Sequence, residues 1–223
     1  MKKIYLFAFA CFVVLSFFFY GCGGSSGGNE LGGDTDVVLG AVGNNMTASG
    51  LTIGGHTYAL PAIVFTSNDE GVVSANIAFN PSAITEMVDL VSLIPSSAKD
   101  SSGNIDTEVK FKITSEGVQD YFNLDQEAHT LVKYDATVGD KYELKKSDGT
   151  TITRTVTAVS TDDDFYYTPM GLYIKTITVE QDSRIPGVNK IVYRANHRFG
   201  IVYIDVVMED GTDAATFITP EQY

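Results

Sequence analysis

Residues 141–159 read KYELKKSDGTTITRTVTAV, and this stretch decides the fold. Tyr142 and Leu144 lead into Ser147-Asp148-Gly149-Thr150. Beyond it, Thr151, Thr153, Thr155 and Thr157 alternate with Ile152, Arg154, Val156 and Ala158. Alternation with a period of two is the mark of a strand with two different faces. Asp-Gly between alternating runs predicts a hairpin, with both turn residues expected at positive φ. Threonine suits a wet strand face, where its β-branch fits the pleat and its hydroxyl stays hydrated.

The same pattern continues on both sides. Downstream, strands are expected at Leu172 to Glu180, Lys190 to Ala195 and Phe199 to Met208, and Glu209-Asp210-Gly211-Thr212 then turns into Ala214 to Thr219. The strand ending at Met208 is apolar on both faces, with Ile201 and Tyr203 on one and Val202, Ile204, Val206 and Met208 on the other. A strand with one wet face alternates more cleanly, so this one is expected to be central and covered twice. The cover would be another sheet, a helix or a bound apolar ligand. Upstream, Val109, Phe111 and Ile113 alternate with lysines and a threonine, and Ile63–Phe65 and Val72–Phe79 flank a polar loop ending in Gly71. One helix is predicted: Asn80 caps, Pro81 starts it, and Ile84, Met87, Val88, Val91 and Ile94 recur at helical spacing before Pro95. The fold class is mainly β, an antiparallel curved sheet (half-barrel or sandwich) with one short helix.

The N-terminus has a different composition. Lys2 and Lys3 precede an uncharged run from Ile4 to Tyr20, which small Gly21 closes before Cys22. Those are the parts of a secretory signal peptide, residues 1–21. Phe19-Tyr20-Gly21-Cys22 resembles the lipobox of bacterial lipoproteins, with Phe19 where that family usually has an aliphatic residue. The resemblance implies that Cys22 is lipidated, with palmitate or a similar chain, and becomes the mature N-terminus. It also implies attachment to a membrane through Cys22. Because Gly23 rather than Asp follows, it implies the outer membrane, facing the periplasm, in a host with two membranes. The alternative is an uncleaved anchor, since the 17 residues from Ile4 to Tyr20 reach the short edge of a span. Residues 22–47, rich in Gly and Ser, are expected to be a disordered tether holding the folded part off the bilayer. The β-rich globular region is 48–223, and if it is two modules the break falls at 115–126.

Composition narrows the function. The chain carries 15 basic and 28 acidic residues, a net charge of −13. Loss of residues 1–21 removes two lysines and no acid, which makes the mature chain more acidic still. Such a surface repels phosphate backbones, so no nucleic-acid partner is expected. Of the two cysteines, Cys11 leaves with the signal and Cys22 is the lipidation site, so no disulfide, thiolate ligand or nucleophilic thiol remains.

Gly171-Leu172-Tyr173, the loop Arg184-Ile185-Pro186-Gly187, and the run from Ile191 through Phe199-Gly200-Ile201-Val202 together resemble the end of secreted bacterial half-barrel β-domains. Carriers and receptors of the Lol lipoprotein type are built on such a half-barrel. The resemblance covers roughly residues 134–219. It implies a sheet curved around a hydrophobic interior and transfers no functional residue.

Catalytic signatures are missing from the sequence: there is no His-Glu-x-x-His, no Gly-x-Ser-x-Gly, and no phosphate-cradling glycine loop. No cofactor is implied. His56, His129 and His197 are far apart in sequence, and His197 reads as a solvated loop residue. The acidic stretches at Asp100 to Glu108 and Asp162-Asp163-Asp164 lack the order of a calcium loop and read as solvated turns. Tyr166, Tyr167 and Tyr173 would suit an aromatic platform for sugar, or simply strand packing. The expected function is a non-enzymatic cell-envelope binding module for an apolar ligand or an envelope protein. The alternatives are a structural or adhesin-type surface subunit and a hydrolase with an unrecognised acid site.

Overall fold

The structure is a computed structural model that describes residues 29–53, 56–80, 100–123, 125–183 and 187–223. Its strands are β1 (Asn45–Ile53), β2 (His56–Tyr58), β3 (Ile63–Asp69), β4 (Val72–Phe79), β5 (Ile105–Thr114), β6 (Gly117–Asp120), β7 (His129–Lys133) and β8 (Lys141–Lys145). They are followed by β9 (Thr151–Val159), β10 (Phe165–Tyr167), β11 (Leu172–Ile174), β12 (Ile177–Asp182), β13 (Val188–Asn196), β14 (Gly200–Met208) and β15 (Asp213–Pro220). Thirteen of them form one sheet in the order β7-β6-β5-β4-β3-β1-β15-β14-β13-β12-β9-β8, with β2 beside β1. Every pairing is antiparallel. The chain walks round the wall strand by strand, and the two ends of the order, β7 and β8, lie side by side. The sheet therefore curls into an almost closed barrel, further than the half-barrel implied by the resemblance. The sheet also passes through 115–126 unbroken, since β5, β6 and β7 pair in succession.

Turn chemistry sets the register. The β8–β9 and β14–β15 turns share one geometry. Gly149 N–H donates to Lys146 O (2.9 Å) and Gly211 N–H to Met208 O (3.1 Å). Asp148 and Asp210 accept from the Thr150 and Thr212 main-chain N–H at 2.8 and 3.0 Å. Only the glycines have positive φ there, +80° and +83°, which corrects the expectation for both turn residues. The side-chain carboxylates fix the preceding residue in a right-handed turn, and a left-handed glycine closes the loop. The tighter turn is β3–β4, where Glu70 (φ 49°) and Gly71 (φ 85°) both adopt the left-handed region. Strand β3 consequently runs on through Asp69, across residues expected to be loop.

A bulge rearranges the apolar strand. Across β13–β14, Arg194 pairs with Tyr203 but Ala195 with Ile201, so Val202 is the extra residue. Ile201 therefore joins Ile204, Val206 and Met208 in the interior, while Val202 joins Tyr203 outside. A bulge shifts the two-residue phase, which simple alternation cannot register. The double cover is real, and a second sheet supplies the outside of it. The β10–β11 hairpin packs Tyr167 and Ile174 against Phe199 and Val202, with Phe165, Tyr203 and Phe217 around them. The Tyr167 hydroxyl donates to Ile218 O. The strand expected over 172–180 breaks at Lys175-Thr176 to let this hairpin fold back.

The expected tether ends much earlier than Thr47. Asn29, Leu31, Leu39 and Asn44 are buried, and Val38–Gly40 forms a 3-10 turn that delivers Leu39 to the interior core. Asn44 ties this segment to the C-terminus, donating to Leu39 O and Gln222 O at 3.0 Å and accepting from Gln222 N–H at 3.0 Å. Apolar side chains with a core to enter and polar ones with fixed partners offset chain entropy, which composition alone does not reveal. The helix expected at Pro81 to Ile94 lies outside the described residues, as do the signal segment and Cys22.

Candidate functional site

The barrel interior contains an apolar cavity of about 160 Å³. Its wall is drawn from both halves of the barrel: Phe65, Ile77 and Phe111 from β3 to β5, and Ile201, Ile204 and Ile218 from β14 and β15. Leu39, from the N-terminal 3-10 turn, also reaches it. A barrel of this many strands is wider than its own side chains can fill, unlike an eight-stranded one. Apolar cavities of ~150 Å³ lined by aliphatic and aromatic side chains stay dry and accept a benzene-sized molecule.

One charged group borders the cavity. Asp120, at the end of β6, is fully buried and accepts from Arg154 Nη2 at 2.7 Å. Arg154 is 1% exposed, on the inward phase of β9 beside Val156. All three of its nitrogens donate: besides Nη2, Nε donates to Gln181 Oε1 at 2.7 Å, and Nη1 to His129 O and Thr130 O at 3.0 and 3.2 Å. It also lies 5.5 Å from the Tyr193 ring centre. Burial pushes the Asp120 carboxyl up, while Arg154 and the Phe122 N–H pull it down. Arginine keeps its proton, so this carboxylate is its counter-charge.

This network lies along the seam between β7 and β8, which share no ladder. Side chains replace the missing backbone bonds. His129 Nε2 lies 3.1 Å from Tyr142 O; a carbonyl only accepts, so Nε2 carries the proton. Burial, and then Arg154, hold the His129 pKa down to about 2, and Nδ1 has no hydrogen-bond partner among the described residues. Asn29 lies across the same seam. Its amide donates to Glu143 O on β8, its Oδ1 accepts from Thr130 N–H on β7 at 3.3 Å, and its carbonyl accepts from Gln119 Nε2. At the neighbouring β6–β7 pair the main chains crowd: a Cβ on Gly117 would sit 2.2 Å from Val132 O.

The residues weighed in the sequence are dispersed. His56 is exposed on β2 and His197 is exposed in the β13–β14 turn, far along the chain from buried His129. Asn196 holds that turn, accepting from Arg198 and Phe199 N–H at 2.8 and 3.3 Å. Asp100 spends its carboxylate on its own loop, accepting from Ser102 and Asn104 N–H and from the Asn104 amide. Asp162, Asp163 and Asp164 are exposed, and no cluster of metal-binding side chains occurs among the described residues. Tyr167 is buried, whereas Tyr166 and Tyr173 are 48% and 60% exposed with ring centres 5.1 Å apart. On the outer wall, burial and then Asp213 push the Asp205 carboxyl up to about 6. The Arg154–Asp120 pair escaped the sequence reading. Its one visible trace was an arginine in the apolar phase of 151–159. Comparison with protein-family models, curated proteins and solved structures found no match, so the site is read from its own chemistry.

Proposed function

We propose that this chain is a lipid-anchored cell-envelope protein, acylated at Cys22, whose barrel holds a small apolar ligand without acting as an enzyme. The observation that carries this reading is the interior cavity. Its wall is apolar apart from Asp120, Tyr193 and Thr216; the carboxylate is occupied by Arg154, and the Thr216 hydroxyl donates to Ser49 O. A pocket with no free polar group selects by shape and apolarity, as hydrocarbon ligands require. A cavity of this size takes one ring or part of an acyl chain; a whole chain needs the barrel to open. In a host with two membranes the protein belongs to the outer one, on its periplasmic side.

The test is binding of a hydrophobic probe dye to the natively folded protein, displaced by a long-chain lipid. Ile204→Phe, which fills the cavity, should abolish binding and leave the fold intact. Dye binding only in acid or denaturant would report loosened packing and a filled core. That outcome would favour the structural, partner-binding alternative, which the exposed Tyr166, Leu172 and Tyr173 of the outer hairpin support. Unchanged processing and membrane retention of Cys22→Ser would defeat the anchor itself.

A further inference from the structure

We infer that residues 60–62 are the gate of the interior cavity and that Leu60 is the side chain that shuts it. The inference rests on the ligand-binding reading of the cavity and adds to it the route of entry. Along β1, Met46 pairs with Ile63 of β3 and Leu51 with Tyr58 of β2, in one common register. Strands β2 and β3 are thus two pieces of one wall strand, parted by residues 59–62. No ladder pair joins that segment to residues 47–50 of β1, and the β3–β4 ladder begins only at Val64 and Asn76. Among the described residues, no main-chain hydrogen bond ties Leu60, Pro61 or Ala62 to β1 or β4. Proline lacks an N–H and cannot complete the ladder at 61. On its other edge β1 carries a bulge, with Gly50 (φ 71°) and Leu51 opposite Thr216, which bends the strand beside the gap.

The cavity reaches this gap. Met46 and Ala48 on one side of it, and Leu60 and Ile63 on the other, all line the cavity. Leu60 is half-buried against the core, whereas Pro61 and Ala62 are exposed. Along the barrel axis the cavity is stopped in both directions. In one, Leu39 fills the space beside Gly200, where a Cβ would lie 3.6 Å from it, and Asn44 holds Leu39 O at 3.0 Å. In the other, the cavity wall stops at Ala48, Ile204 and Thr216. Leu51, Val206 and Ala214, the next inward residues of those strands, are buried in the packed core. Parting β4 from β5 or β14 from β15 breaks a continuous ladder, and parting the seam separates Asp120 from Arg154. Swinging 60–62 outward breaks no ladder and uncovers one leucine. Local opening begins where buried contacts are few and backbone bonds are absent.

The test bridges the gap with a disulfide. Thr47 and Ala62 are exposed and face each other in the β1–β3 register, so Thr47→Cys with Ala62→Cys ties the gate shut without entering the cavity. Fluorine NMR of fluorobenzene follows exchange of the probe in the full protein held in lipid nanodiscs. Loss of the bound signal in Ile204→Phe identifies it as the cavity's, and intact mass confirms the bridge. The oxidised pair should keep the bound signal but exchange about tenfold more slowly, and reduction should restore the rate. Leu60→Ala should exchange several-fold faster. A control bridge between Asn76→Cys and Glu108→Cys, paired across β4 and β5, should leave the rate unchanged. Equal rates in the oxidised and reduced forms, equal slowing by the control bridge, or no gain in Leu60→Ala overturns the gate. Absence of a bound signal in the unaltered protein defeats the cavity reading itself, and the gate falls with it.

Discussion

Opposite walls of this barrel are held together in different ways. Where β1 meets β15, main-chain partners run from Met46–Pro220 to Ile53–Ala214, and the neighbouring β14 is packed on both faces. Across the barrel, β7 and β8 adjoin in sequence yet share no ladder. There Arg154, Asp120, His129 and Asn29 supply the bonds. The far wall depends on burial and backbone pairing, which tolerate many side chains of suitable size. The seam depends on a few named polar groups, each costly to lose because its partner stays buried. Stability should therefore be distributed at the far wall and concentrated at the seam.

The largest effect tests the far wall's dependence on burial. Val206 is 1% exposed in the interior, and Val206→Asp would bury an unpartnered charge. A loss above about 4 kcal/mol is expected in urea titration, against about 0.5 kcal/mol or less for Thr157→Asp on the exposed end of β9. Equal midpoints would refute the assignment of faces. Next, Asp120→Ala leaves the Arg154 cation buried without its counter-charge and should cost about 3–5 kcal/mol. Asp120→Leu combined with Arg154→Met should recover a large part of that. If the double variant is no better than the single, the ion pair is not what closes the seam.

Acid gives the third test. The folded state refuses the proton that an unfolded His129 accepts at pKa 6.5, because its folded value is about 2. Stability from this group is therefore full above pH 6.5 and declines as the pH falls toward 2, by about 1.4 kcal/mol per unit. His129→Gln should flatten that slope, and an unchanged slope would remove His129 from the account. Asn29→Ala should cost about 1–3 kcal/mol, the desolvation cost of the groups it leaves unpaired. Hydrogen exchange should rise in 129–133 and 141–145 and stay unchanged in β1 and β15; uniform loosening would erase the contrast between the walls. The smallest effect belongs to Tyr167→Phe, which removes one bond to Ile218 O and should cost about 1 kcal/mol.

Alternation and turn residues, read locally, were enough to place β8, β9, β13 and β15 within a residue or two and to make the fold mainly antiparallel β. They also marked β14 as covered on both faces, because composition on each face is a local property. They could not give the phase of β14, since the bulge at Val202 depends on its pairing with β13. Segment 29–44 was misread for the same kind of reason: Leu31, Leu39 and Asn44 look unremarkable until the core and the C-terminus they meet are in place. Arg154 stood in plain view at an inward phase, but its partners Asp120 and Gln181 lie 34 and 27 residues away.

The sequence by itself determined the period of the strands, their turns, the net acidity and the confinement of both cysteines to the first 22 residues. All of these depend on neighbours within a few positions or on plain composition. Only the tertiary structure decided that the sheet nearly closes and leaves a cavity. It also decided that an ion pair and one asparagine hold the seam, and that Leu31 and Leu39 are buried. Those features come from contacts between residues distant in sequence, where burial and desolvation act on groups that local pattern treats as independent.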